Sequence, residues 1–244
     1  MGAMGGGGGS PGGVNDAASG RAGWEAAVRR DIVSTYERWA RSYDPVLRLA
    51  TLGFEPRLRR RLIARLGLRP GDRVLDLCCG TGLNLPAIRE AVGPEGEVVG
   101  IDLTPAMLAQ ARRKVEKHGW RNVRLLQADA TTYCPERPLD AALSTGAAGL
   151  FPDPEALVRT LVAAVRPGGT VLVCDVQALG GRRGRFLGPL MRLVGAPWVP
   201  ARIRDGYWTA RPWTALCRLT ESPQYKEWLG GALYVAWGRR PAGP

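Results

Sequence analysis

Residues 73–84 read Arg-Val-Leu-Asp-Leu-Cys-Cys-Gly-Thr-Gly-Leu-Asn, an apolar run that ends in a carboxylate and a loop of small residues. In an α/β protein such a passage from strand to loop to helix opens a ligand crevice at the carboxyl end of the strand. A dinucleotide would need glycines at the first, third and sixth loop positions. Counted from Cys78 those positions hold Cys78, Gly80 and Leu83, and counted from Gly80 they hold Gly80, Gly82 and Leu85. Neither frame fits. The pattern acid, any, small, any, Gly, any, Gly does fit, as Asp76-Leu77-Cys78-Cys79-Gly80-Thr81-Gly82. Roughly 20 residues further on, where a nucleoside site of this topology places its acid, Asp102 closes a second apolar run. A carboxylate there can accept both hydroxyls of a ribose, and the glycines allow the backbone close to the ligand.

These residues need a sheet to hold them. Apolar runs at 74–78, 97–101, 122–127, 139–143 and 170–176 alternate with helical periodicity at 85–92, around Met107, Leu108, Ala111 and Val115, and around Leu157, Leu161 and Val165. Strands interleaved with helices imply a parallel, doubly wound sheet. Thr104-Pro105 and Asp153-Pro154 are cap-and-proline helix starts. Residues 225–229 and 232–237 are strand-like and separated by Gly230-Gly231, a hairpin signal, so the last two strands should be antiparallel. Upstream, Trp24, Val28, Ile32, Tyr36, Trp39 and Tyr43 share one helical face, and Asp44-Pro45 should end that helix. A second helix over 56–66 buries Leu58, Leu62, Ile63 and Leu66, with Arg57, Arg59, Arg60, Arg61 and Arg65 mostly outside the stripe.

The chain has 244 residues, 45% of them hydrophobic, and a net charge of +12. That length suits one α/β domain with decoration. The charge would attract nucleic acid, anionic membrane or acidic substrates. No apolar run reaches the ~18 residues of a membrane span. Five cysteines, two of them adjacent and none at metal-ligand spacing, read as reduced thiols of a cytoplasmic protein. No metal is expected. The single histidine, His118, precedes Gly119 at a helix end and reads as a helix-terminal residue, not a catalytic base.

The segment 76–82 is similar to motif I of the class I S-adenosylmethionine-dependent methyltransferases, with Cys78 in place of the first glycine. Residues 99–108 and 161–172 resemble later motifs of that family. Tyr36-Glu-Arg-Trp-Ala-Arg-Ser-Tyr-Asp44 resembles an element of bacterial phospholipid N-methyltransferases, and a Tyr-Asp pair also precedes the core of ubiquinone and menaquinone C-methyltransferases. Pro45-Val46-Leu47 stands where the quinone enzymes carry an Asn two residues past the Asp. The resemblance covers about residues 24–240 and implies a mainly parallel seven-stranded sheet with an antiparallel C-terminal hairpin. It implies S-adenosyl-L-methionine as cofactor, held by Asp76, Cys78, Cys79, Gly80, Thr81, Gly82, Asp102, Leu103, Met107, Asp129, Ala130 and Ser144. Asp129 would accept from the adenine amine, the Ala130 N–H would face a ring nitrogen, and Leu103 and Met107 would cover the ring faces. Tyr43 is the implied catalytic residue, closing over the cofactor beside the methyl group, with Tyr36 and Ser144 as further polar candidates there.

On this reading residues 1–22 form a disordered Gly-rich leader and 23–240 a single methyltransferase domain. Its parts are an N-terminal helical cap (23–68), a cofactor-binding core (69–179), a basic aromatic insert (180–211), and a C-terminal helix and hairpin (212–240). The expected acceptor is small and lipophilic, such as a phospholipid head-group amine or a polyprenyl-quinone precursor. The insert's arginines with Trp198 and Trp208 would touch an anionic membrane peripherally, at the inner face. Two alternatives stand beside this: an RNA or other nucleic-acid methyltransferase, and a non-catalytic S-adenosylmethionine-binding protein. The 144–147 segment, Ser-Thr-Gly-Ala, lacks the Asn/Asp-Pro-Pro-aromatic arrangement suited to exocyclic base amines, so nucleic acid is the weaker partner.

Overall fold

The computed structural model describes residues 13–179 and 197–243, together with 185, 188, 189, 192, 193 and 195. Seven strands form one sheet: β1 (Arg73–Leu77), β2 (Glu97–Asp102), β3 (Val123–Gln127), β4 (Leu139–Thr145), β5 (Val165–Val176), β6 (Glu221–Trp228) and β7 (Leu233–Arg239). Their order is β3-β2-β1-β4-β5-β7-β6. The first five run parallel, while β7 is antiparallel to both β5 and β6. Strand order reverses between β1 and β4, so a crevice opens outside their carboxyl ends. The β5 strand begins five residues before the expected Thr170, because Val165 pairs with Leu139 before the register slips through the 166–169 turn. The hairpin link is longer than two residues, running through a short 3-10 turn at Leu229–Gly231.

Side chains of β1 alternate between the two faces, as a pleated strand requires. Leu75 and Leu77 join one core with Leu157, Leu161 and Leu216. Val74 joins the other with Leu62, Leu85, Ile88 and Leu143. Asp76 shares the side of Val74, which decides its partners below.

The helices are α1 (Gly13–Trp39), α2 (Tyr43–Ala50), α3 (Glu55–Ile63), α4 (Leu85–Val92), α5 (Pro105–His118), α6 (Pro154–Ala164), α7 (Arg204–Thr209) and α8 (Pro212–Leu219). Two expectations need correction here. Residues 1–12 of the expected leader lie outside the described residues, but α1 begins at Gly13 and runs through the rest of that stretch. Asp44-Pro45 does not end a helix; it lies in the first turn of α2, where proline's missing N–H has no helical partner to lose. Among the described residues no helix is long and apolar enough to cross a membrane.

The described part of the insert packs partly inward. Trp208, Tyr207 and Ile203 are buried in a cluster with Val28, Ala147, Leu150 and Val199. Trp198 packs on Tyr43 with ring centroids 5.4 Å apart and on Trp39 at 6.0 Å. Trp208 is therefore turned into the protein interior, while Trp198 is half-buried against the aromatic wall formed by Trp39 and Tyr43. Arg202 is engaged with Asp31 at 2.9 Å. Arg182 and Arg183 lie outside the described residues.

Candidate cofactor and acceptor cleft

The loop after β1 carries three left-handed residues within five: Cys78 (φ 62°), Gly80 (φ 55°) and Gly82 (φ 78°). Glycine adopts that conformation at no cost and L-residues do not. Cys78 thus occupies a position built for glycine, which is the physical content of its departure from motif I. At Gly82 a Cβ would come within 2.6 Å of the Leu85 Cδ1 and 3.2 Å of the Ala111 Cβ, so the loop packs directly on α4 and α5. The Cys79 N–H donates to the Ile101 carbonyl at 2.8 Å, and the Gly80 N–H to the Asp102 carboxylate at 2.9 Å. The loop is therefore pinned to the end of β2.

Beside it lies a cleft of about 240 Å³. Of the sequence-predicted site residues, Tyr43, Cys78, Cys79, Gly80, Thr81, Asp102, Leu103, Met107, Asp129 and Ala130 line it. Asp76, Gly82 and Ser144 do not. Asp76 and Ser144 are fully buried beneath it, and Thr145, one residue past Ser144, reaches the wall. His118 is outside the cleft, stacked on Trp120 at 4.8 Å.

Asp102 binds with both oxygens, accepting from the Gly80 N–H and, at 2.8 Å, from the Thr104 N–H. Burial raises its pKa, and the Thr104 and Gly80 N–H groups pull it back. Each oxygen keeps acceptor capacity toward the cleft. Asp129 accepts from the Thr131 N–H (2.8 Å) and hydroxyl (2.7 Å) through one oxygen and pairs with Arg29 of α1 at 2.8 Å through the other. Arg29 thus straps α1 across that end of the cleft.

The floor holds a buried polar network that the sequence reading placed elsewhere. Arg59 was expected among the arginines mostly outside the stripe of α3. It instead pairs with Glu55 and donates to the Asn84 Oδ1 at 2.7 Å and the Thr145 hydroxyl at 3.1 Å. Residues 55, 59, 62 and 66 recur at helical spacing, so Arg59 belongs to the inward face that Leu62 and Leu66 bury. That spacing was legible; the presumption that arginine faces water concealed it. Asn84 also donates to the Asp76 Oδ1 at 2.9 Å, while the Asp76 Oδ2 is buried with no hydrogen-bond partner among the described residues. Burial drives the Asp76 pKa up to about 7 despite the Asn84 hydrogen bond and the Arg59 charge, which lower it. Burial likewise lowers the pKa of Arg59.

The opposite wall is aromatic and apolar: Tyr36 and Tyr43, with centroids 6.3 Å apart, then Val28, Ile32, Leu150 and Phe151. Asp44 ties this wall to the loop, accepting from the Thr81 hydroxyl at 2.6 Å and pairing with Lys114 at 2.5 Å. Burial raises the pKa of both tyrosines, Tyr36 well above its usual value, so their phenols stay protonated near neutrality.

The cleft fits a sulfonium nucleoside. It offers a ribose-competent carboxylate, a loop without a Cβ atom at Gly80, and a guanidinium floor at Arg59. A family profile described as a methyltransferase domain matches residues 74–169. The chain is 30% identical over 177 residues to aklanonic acid methyltransferase DauC of Streptomyces sp. strain C5, covering 72% of this chain and 73% of that protein. It is 31% identical over 151 residues to a demethylmenaquinone methyltransferase of Lactobacillus johnsonii, covering 61% of this chain and 62% of that one, less than two thirds of its length. The fold also matches a crystal structure of a SAM-dependent methyltransferase from Aquifex aeolicus, with a TM-score of 0.51 at 20% identity over 73% of this chain and 87% of that one.

Proposed function

The chain belongs to the class I S-adenosylmethionine-dependent methyltransferases, and from that membership we propose that it methylates a small lipophilic acceptor of the quinone-precursor kind. One observation carries the reading: an apolar wall of Val28, Ile32, Leu150 and Phe151, with two protonated phenols, faces the glycine loop across one cleft. The relatives named for demethylmenaquinone and aklanonic acid support a lipophilic acceptor over a phospholipid head-group amine.

When bound, S-adenosylmethionine supplies an electrophilic methyl group on a sulfonium. In this reading Asp102 accepts the ribose hydroxyls. Leu103 and Met107 cover the adenine, and Asp129 with the Ala130 N–H borders its edge. Gly80 would admit the methionine portion, while Gly82 lets the loop pack on α4 and α5 beneath it. Arg59 lines the cleft with its Nε and one terminal nitrogen engaged, so its other terminal nitrogen would be the one left to hold the methionine carboxylate. Asp76 acts from beneath by holding Asn84. Tyr43 donates to the acceptor or orients it, and the apolar wall excludes water around the reacting groups. No histidine lines the cleft, so no side chain there is suited to take a proton near neutral pH except a carboxylate. An acceptor hydroxyl or ring carbon activated by its own conjugation suits such a site.

The test is transfer of labelled methyl from S-adenosylmethionine to three acceptors offered separately: a short-chain demethylnaphthoquinol, dispersed phosphatidylethanolamine, and total RNA. Label in the naphthoquinol, located by mass spectrometry, is the expected result. Label in the amine or the RNA alone would overturn the acceptor class and leave the methyltransferase membership standing.

A further inference from the structure

Helix α2 contains no buried residue, and its last turn together with the link to α3 carries three exposed apolar side chains. Leu49 is 76% exposed, Leu52 91% and Phe54 40%. Leu52 also sits at φ 49°, a strained conformation for a branched side chain, followed by Gly53 at φ 73°. Internal packing gives no return for a leucine held there, since it touches almost nothing.

The backbone at this tip is already satisfied. The N–H groups of Thr51, Leu52, Gly53 and Phe54 donate to the carbonyls of Leu47, Leu49, Arg48 and Thr51 respectively, and the Thr51 hydroxyl donates to the Leu47 carbonyl at 2.8 Å. A loop whose donors are paired within itself can enter a low-dielectric layer without stranding them. Within this stretch of chain the exposed charge is positive. Between residues 45 and 66 the chain has six arginines and one glutamate, and that Glu55 is buried and paired with Arg59. Arg48, Arg57 and Arg61 are exposed, with Arg61 lying 5.8 Å over the Phe54 ring. Apolar tips ringed by arginines match the boundary between anionic head groups and acyl chains. A nucleic acid would use the arginines but would leave the leucines in water.

We infer that the α2–α3 turn is a docking surface for an anionic lipid bilayer, inserting Leu49, Leu52 and Phe54 beneath head groups held by Arg48, Arg57 and Arg61. Because α2 begins with Tyr43 in the cleft wall, docking there brings a bilayer-dissolved acceptor to the mouth of the site. The inference builds on the lipophilic-acceptor reading, but vesicle binding needs no turnover, so either can fail while the other holds.

The experiment is co-sedimentation of the full chain with phosphatidylglycerol-containing vesicles or with neutral phosphatidylcholine vesicles at low and physiological salt. Binding should be at least about tenfold tighter to the anionic vesicles at low salt. The pair Leu49→Gln with Leu52→Asn should weaken it about tenfold. The three arginines changed to glutamine should weaken it by about fivefold each. Both variants should keep the wild-type melting temperature and cofactor affinity, since none of these side chains lines the cleft. Equal binding to both vesicle types, or a leucine variant that binds like wild type, overturns the inference. So does a concentration-dependent dimer that the leucine pair dissolves, because the tip would then belong to a second copy.

Discussion

Asp44 accepts a 2.6 Å hydrogen bond from Thr81, joining the start of α2 to the glycine loop across 37 residues of chain. Through its second oxygen the same carboxylate holds Lys114 of α5. Tyr43, its neighbour in sequence, enters the cleft because Asp44 is fixed in this way. Asp44→Asn should lower stability by about 1 kcal/mol, the size of a partly exposed polar contact. It should lower kcat more than it weakens cofactor binding. Urea midpoints and calorimetry with S-adenosylhomocysteine measure the two effects, and an unchanged kcat would mean that Tyr43 is positioned without it.

Removing the hydroxyl alone isolates the role proposed for Tyr43. Tyr43→Phe keeps the ring contact with Trp198 and should reduce kcat by about tenfold, less than the roughly 10²–10⁴-fold of a full general acid or base, because the hydroxyl only orients the acceptor. Cofactor affinity should stay within twofold of wild type, about 0.4 kcal/mol. A fall in affinity with kcat intact would assign the hydroxyl to the cofactor instead.

Arg59 is held by Glu55, Asn84 and Thr145 at once. Arg59→Gln leaves Glu55 buried without its cation and should cost about 3 kcal/mol in stability. Arg59→Lys restores the charge but not the fork, so it should recover part of the stability and little of the cofactor affinity. Equal cofactor affinity in the lysine variant and wild type would remove the carboxylate-binding role.

Asp102→Asn keeps the shape but exchanges one acceptor oxygen for a donor. Loss of charged hydrogen bonds at about 1.5–3 kcal/mol predicts weakening of S-adenosylmethionine binding by one to two orders of magnitude. Because Asp102 also holds the Gly80 N–H, amide exchange at Gly80 should accelerate in the same variant. Isothermal titration and hydrogen exchange report these separately.

Asp76 makes stability depend on pH with a definite sign. Its folded pKa, about 7, lies above the ordinary carboxylate value of 3.8. The folded state therefore binds the extra proton between those values, and the stability linked to protonated Asp76 is lost as pH rises from about 4 through 7. Asp175, raised by burial to about 6, adds a slope of the same sign. Asp76→Asn cannot ionise. Its stability relative to wild type should increase between pH 4.5 and 7.5, and a constant difference across that range would show that Asp76 is already ionised when the chain folds at acid pH.

Much of this architecture was legible in the chain. Alternation of apolar runs and helical stripes identified the parallel strands, and the Gly230-Gly231 punctuation marked the antiparallel pair, because strand and helix periods are local properties of the backbone. The loop 76–82 and Asp102 were readable for the same reason: left-handed turns demand small residues nearby in sequence. Pro45 misled because proline excludes a helix only beyond its first turn, and where a turn begins depends on Ser42 and the chain before it.

Residue type and spacing were enough to define an α/β protein of the methyltransferase class. They could not show that Asp76 lies below the cleft, that Trp208 is buried, or that Leu52 stands exposed to water. Those outcomes depend on which faces of α1, α2 and α3 close over the sheet. Such packing joins residues tens of positions apart, and burial, not local preference, then decides whether an arginine is a surface charge or part of a binding floor.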